Sequence, residues 1–231
     1  MCYNIPKRGG SMKLTRYPQS CLWIETKDVK ILIDPGNIKM QDGYCDFFRE
    51  ADAVFITHKH ADHCSSKAIQ KIMEYNKDMK LYSTKEVQDF YEELNITIVK
   101  EGDVINVGEV KVEVVHAVHG YLPPMKHGST VMENVGYIVD DGETRLYATS
   151  DTLCFQNDYQ CDVLCIGISG YGVTMGAFEA ALFAKETGAK LVIPVHLDNP
   201  KYPIDYKAIQ KQMDQQEVRY KLLAIGESVE L

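Results

Sequence analysis

Residues His58-Lys59-His60-Ala61-Asp62-His63 place three imidazoles and one carboxylate within six positions. Random placement of the 7 histidines and of the chain's aspartates gives this pattern about once in two thousand chains of this length. On extended backbone, positions i and i+2 face the same side, so His58 and His60 converge on one point. The bend that must follow presents Asp62 and His63 to a neighbouring point. Imidazole and carboxylate are ligands that zinc and similar divalent ions accept, so the segment predicts a metal centre. Two ions need more than four ligands. His119, Asp151 and His196 each stand just past a predicted strand, where α/β folds gather their functional loops. Five of the seven histidines then belong to one site. His116 reads as a packing residue, and Lys126 and His127 as solvated members of a long loop over 120–129 that is placed to meet a substrate.

These side chains need strands to carry them. Residues 53–57 are a continuous apolar run, the mark of a strand covered on both faces, and the histidine-rich segment begins where it ends. Ser65 and Ser66 supply N-cap hydroxyls for a helix to about Tyr75, with Ala68, Ile69, Ile72 and Met73 on one stripe. Further strands are predicted over 22–25, 30–33, 80–82, 96–99, 104–107 and 110–115, with a hairpin of 135–139 and 145–148 around Asp140-Asp141-Gly142. Buried strands follow at 162–168 and 191–195, and 218–223 is expected to close the sheet. Helices are predicted over 84–94, 177–187 and 204–213. Strands outnumber helices, yet helices separate several of them. This predicts an α/β four-layer αββα sandwich, two sheets face to face with helices outside. With no linker or composition break, residues 12–231 read as a single domain behind a flexible leader over 1–11.

Composition narrows the function. The 231 residues carry 25 Lys+Arg against 33 Asp+Glu, a net charge of -8, with 45% hydrophobic residues. That is globular composition, and its acidic balance argues against nucleic-acid and membrane-surface partners, which need clustered Lys and Arg. No run of ~18 apolar residues predicts a transmembrane helix. Seven cysteines without a small-domain spacing point to a reducing, cytoplasmic setting. Cys64, next to His63, reads as a small residue at a helix start, and Cys161 and Cys165 as core. Tyr44 to Phe48 reads as pocket wall or as core, and Tyr171, after a predicted strand, is a candidate neighbour of the metals.

Further text resembles the metallo-β-lactamase superfamily of metal-dependent hydrolases over residues 12–223. It comprises Ile33-Asp34-Pro35, Ala117-Val118-His119, Ser150-Asp151-Thr152, Thr174-Met175-Gly176 with Glu179-Ala180-Ala181, and Ile193-Pro194-Val195-His196. The likeness is nearest to the lactonase-like branch that includes ascorbate-6-phosphate lactonase. It implies that His58, His60 and His119 hold one metal, that Asp62, His63 and His196 hold a second, and that Asp151 bridges them. Two divalent cations are implied, zinc first, with manganese also suited to the ligands. The implied chemistry is hydrolysis of a small-molecule ester, lactone or phosphodiester by a hydroxide shared between the metals, with Asp62 as the catalytic group that orients it and takes its proton. Two departures stand out: Ser150 replaces a glycine, and Pro18-Gln19-Ser20 replaces the usual Gly-His-Ser. The alternatives are a nuclease, which needs a basic groove, and a non-catalytic metal-binding module, which the complete ligand set opposes. The expected partner is a small-molecule substrate, and the sequence leaves room for a homo-oligomer.

Overall fold

Alternate residues of the central strands point to opposite faces, and in this chain both sets are apolar and buried, so each sheet must be covered twice. A computed structural model describes residues 12–121 and 129–231; the predicted leader over 1–11, and Lys126 and His127, lie outside the described residues. One sheet has seven strands. Its order is β13 (Ser228–Glu230), β1 (Lys13–Arg16), β2 (Leu22–Glu25), β3 (Lys30–Ile33), β4 (Ala53–Phe55), β5 (Lys80–Ser83) and β6 (Thr97–Ile98). The other sheet has six, ordered β12 (Leu191–Val195), β11 (Val163–Gly167), β10 (Arg145–Ala148), β9 (Val135–Asp140), β8 (Val110–His116) and β7 (Val104–Val107).

Pairing from β3 through β6 is parallel, as is β10 to β11 to β12, and the remaining neighbours are antiparallel. Parallel neighbours need crossovers, and helices supply most of them. Helix α1 (Asp42–Phe48) joins β3 to β4, α2 (Ser66–Tyr75) joins β4 to β5, α3 (Lys85–Phe90) joins β5 to β6, and α4 (Ala177–Glu186) joins β11 to β12. Helix α5 (Tyr206–Gln215) follows β12.

The strand period sorts the apolar side chains into three layers of packing. Ile31, Ile33, Ala53 and Phe55 meet Val112, Val114, Tyr137, Val163 and Cys165 between the sheets. Leu32 and Val54, one residue out of phase, pack instead with Phe48, Ile69 and Ile72 under α1 and α2. Leu164 and Ile166 likewise pack with Phe183, Ile209 and Met213 under α4 and α5. The result is the predicted αββα order. The predicted Ser65 cap is in place, its hydroxyl accepting from Ala68 N, and Thr84 caps the next helix by accepting from Val87 N.

One expectation is corrected, and one held open between two readings is resolved. Residues 218–223 form no strand beyond a single bridge between Val192 and Tyr220, and the sheet is closed by β13 against β1. Residues 42–48 form α1, whose Cys45 and Phe48 are buried in the outer core, so this segment is core more than pocket wall. Among the described residues no helix is long and apolar enough to cross a membrane. Phe48 is fully buried, with its ring centroid 4.8 Å from that of Tyr17 and 5.8 Å from that of Trp23. Phe48→Ala is expected to cost about 3–5 kcal/mol, read as a lower urea midpoint with an unchanged slope.

Candidate metal centre

Four strand ends converge at one edge of the sandwich. The segment after β4 turns sharply, with His63 N and Cys64 N both donating to His60 O at 2.9 and 2.8 Å. This turn lies against Asp34-Pro35-Gly36. Asn37 N donates to Ala61 O at 2.8 Å, and a Cβ on Gly36 would stand 1.7 Å from Asp62 O, so no side chain fits there. His119 lies beyond β8, Asp151 beyond β10 and His196 beyond β12. Ser150 and His196 adopt left-handed backbone, with φ of 65° and 62°, which re-aims the chain into the site.

The structure brings all seven sequence-selected residues together. The ligand atoms of His58, His60 and His119 lie within 4.8 Å of one another, as do those of Asp62, His63 and His196. Asp151 lies between the groups. Its Oδ1 is 3.3 Å from His63 Nε2, its Oδ2 is 3.2 Å from His196 Nε2, and it forms a third such group with His58 and His63. His58, His63, Asp151 and His196 are buried, while His60, Asp62 and His119 are partly open to solvent.

In four of the five imidazoles the outward-facing ring nitrogen is tied to the protein, which frees the inward one. His63 Nδ1 donates to Asp34 Oδ2 at 2.7 Å, His60 Nε2 to Ser129 O at 2.8 Å, and His119 Nδ1 to Gly120 O at 2.7 Å. His58 Nδ1 stands 3.0 Å from Thr57 Oγ1, whose hydroxyl donates to Asp34 Oδ2 at 2.7 Å. His58 Nδ1 therefore donates to Thr57. His63 Nε2, His119 Nε2 and Asp151 Oδ1 are buried and make no hydrogen bond. Buried polar atoms left without partners but aimed at common points suit a cation, and outer nitrogens held in this way are what metal-ligating imidazoles need. The residues present therefore fit divalent metal.

Electrostatics divides the site. Burial, with the nearby His63, holds His58 well below the usual imidazole range, and burial also lowers His119. In the other group, burial opposes the charge on His63 and His196. The carboxylates outweigh it: Asp151 and Asp34 hold the His63 proton well above its usual range, and Asp151 with Asp62 raises His196 to about 9. Reciprocally, burial would raise Asp151 and Asp62, but His196 and His63 hold both below the ordinary carboxylate range.

Three helpers were not picked out by sequence reasoning. Asp34, noted only within the family-like Ile33-Asp34-Pro35, is a buried carboxylate that also accepts from Thr57 N at 2.8 Å. Asn134 donates to Asp151 O at 2.7 Å and accepts from Ser150 Oγ at 3.0 Å. Gln19 Nε2 donates to Asp62 Oδ2 at 3.1 Å; its one sequence signal was the departure at Pro18-Gln19-Ser20. His116, read as a packing residue, is half-exposed, with its ring against Phe155 and its Nδ1 3.0 Å from Glu101, and the Tyr171 hydroxyl donates to Pro203 O. Cys64 is buried in the outer core, and Cys165 between the sheets.

Comparison with known proteins agrees with this architecture. The family described as "Beta-lactamase superfamily domain" matches residues 13–196. A UPF0173 metal-dependent hydrolase of Christiangramia forsetii is 28% identical, covering 95% of this chain and 100% of that protein. Another of the same name from Salinibacter ruber is 27% identical with the same coverage. Igni18, described as a novel metallo hydrolase from the archaeon Ignicoccus hospitalis, superposes with a TM-score of 0.77 at 23% identity, covering 96% of this chain and 99% of that one. The chain belongs to the beta-lactamase superfamily.

Proposed function

We propose that this chain is a metal-dependent hydrolase of a small molecule, working on an ester, lactone or phosphodiester bond with two divalent ions, zinc first among them. The supporting observation is the juxtaposition of the His58, His60 and His119 group with the Asp62, His63 and His196 group across Asp151. The relatives named metal-dependent hydrolase point the same way. Bound there, divalent ions supply Lewis acidity, lowering the pKa of water and offsetting charge that develops on the substrate oxygen.

The protein's own groups do the rest. Asp62 is partly open, and its Oδ2 is fixed by Gln19, so it is placed to orient a water molecule and accept its proton. Asp151, buried and held through its backbone by Asn134, sets its two carboxylate oxygens against His63 and His196 and shares a ligand set with His58 of the other group. Asp34 fixes the ring of His63, and the Ser129 carbonyl fixes that of His60. A net charge of -8 disfavours a polyanionic substrate and so a nuclease. The free cysteines among the described residues suit work in the cytoplasm.

A hydrolysis panel of lactones, phosphodiesters and thioesters, run on parent and Asp151→Ala proteins, tests the reading. Activity is expected to fall at least about a thousandfold in the variant, because the carboxylate shared by both groups is lost. Equal rates would overturn the mechanism.

Metal uptake provides a second check. A metal-ligating imidazole must be neutral, whereas in the metal-free protein His63 and His196 hold their protons at neutral pH. Below about 9, the raised value of His196, zinc must expel that proton as well as the one on His63; above it, His196 is already neutral. Calorimetric titrations in buffers of different ionisation heat are expected to reveal net proton release at pH 7.5 and less of it at pH 10. A heat independent of buffer at pH 7.5 would count against these ligands.

A further inference from the structure

We propose that Gln19 is a positioning residue that sets the metal affinity of the Asp62, His63 and His196 group separately from that of the His58, His60 and His119 group. This rests on the reading that the two groups hold metal.

Gln19 lies in the turn between β1 and β2, is 1% exposed, and has a φ of 59°, in the left-handed region. A buried L-residue held there must be fixed by its surroundings, and Gln19 is fixed at every polar atom. Its backbone N donates to Asp198 Oδ2 at 3.0 Å, and its backbone O accepts from His196 N at 2.9 Å. Its side-chain Oε1 accepts from Asp198 N at 2.9 Å, which settles the amide orientation and turns Nε2 toward the site. There Nε2 stands 3.1 Å from Asp62 Oδ2 and 3.2 Å from His196 Nε2. The Asp198 carboxylate is in turn held by the buried guanidinium of Arg16, whose Nη1 donates to Leu223 O at 3.2 Å. A rigid chain therefore runs from Arg16 through Asp198 and Gln19 to two of the three residues in one group.

No other support replaces it. Apart from the site's own imidazoles, Gln19 is the side chain among the described residues that donates to Asp62. His196 Nδ1 is buried without a hydrogen bond, so this ring is oriented by its backbone, which bonds Gln19 O, and by the neighbours of Nε2. The other group uses different anchors: Thr57 for His58, Ser129 O for His60 and Gly120 O for His119. Removing the Gln19 amide therefore loosens one group and leaves the second intact.

Zinc titration calorimetry on the full chain tests this, with Asp62→Asn marking which binding event belongs to the Asp62 group. The parent is expected to take up two ions. Gln19→Met, similar in length but without the amide, is expected to weaken the event marked by Asp62→Asn by about 10–100-fold, with the other event unchanged and the zinc-free protein still folded. Should Gln19→Met unfold, Gln19→Asn carries the test, since asparagine tolerates positive φ yet falls short of Asp62. Two parent-like events in a folded variant would overturn the proposal, leaving Gln19 a loop bridge and the metal reading intact. Equal weakening of both events, or unfolding of both variants, would overturn it by making Gln19 general scaffold. A parent that binds fewer than two ions would sink the two-metal reading and this inference with it.

Discussion

Asp34, Asp62 and Asp151 are packed against five imidazoles at one edge of the sandwich, with Asp34, Asp151, His58, His63 and His196 buried. Buried charge is tolerated only when paired and hydrogen-bonded, and much of the local structure follows from that demand. Among the described residues, four of the six non-glycine residues with positive φ, namely Gln19, Asp34, Ser150 and His196, are in the site or touch it. Such conformations persist where surrounding contacts over-determine them. Here each one aims a polar group: Asp34 at His63, Gln19 at Asp62, Ser150 toward His58 and Asn134, and His196 at Asp151.

The sandwich is the means by which distant segments reach that edge. β4 belongs to one sheet, and β8, β10 and β12 to the other, so neither sheet alone carries the full set. The apolar layer between them, from Phe55 and Ile33 on one side to Tyr137, Cys165 and Val195 on the other, holds the two halves of the site in register. Tyr137 links both demands, with its ring in that layer and its hydroxyl donating to Ile56 O at 2.7 Å, just before the histidine-rich turn. Packing precision in the core thus becomes positional precision at the ligands.

Much of this was legible in the sequence because it rests on local rules. Continuous apolar runs located the central strands, the Ser65 hydroxyl marked a helix start, and the histidine spacing marked the site. The rest depends on distant partners. β13 is three residues without an apolar run, and it exists because Leu14 and its neighbours in β1 offer an open edge. The aromatic run at 44–48 reads equally as pocket wall or core until α1 turns Cys45 and Phe48, with Tyr44 beside them, onto one face of the outer core. Gln19 and Asp198 are far from the motif in sequence, and neither has a spacing that signals a ligand. Only the fold shows that they brace it.

The two groups differ in how they meet the charge problem without a cation. His58 and His119 are pushed toward neutrality by burial, so their group presents lone pairs. His63 and His196 sit against Asp34, Asp62 and Asp151 and keep their protons, so those protons offset the carboxylates that a metal would otherwise neutralise. Proton and metal then compete at His63 and His196 and hardly at all at His58 and His119. It follows that acid weakens metal binding unequally across the site. The group braced by Gln19 is the more sensitive, because filling it requires removing the charges that hold the metal-free structure together.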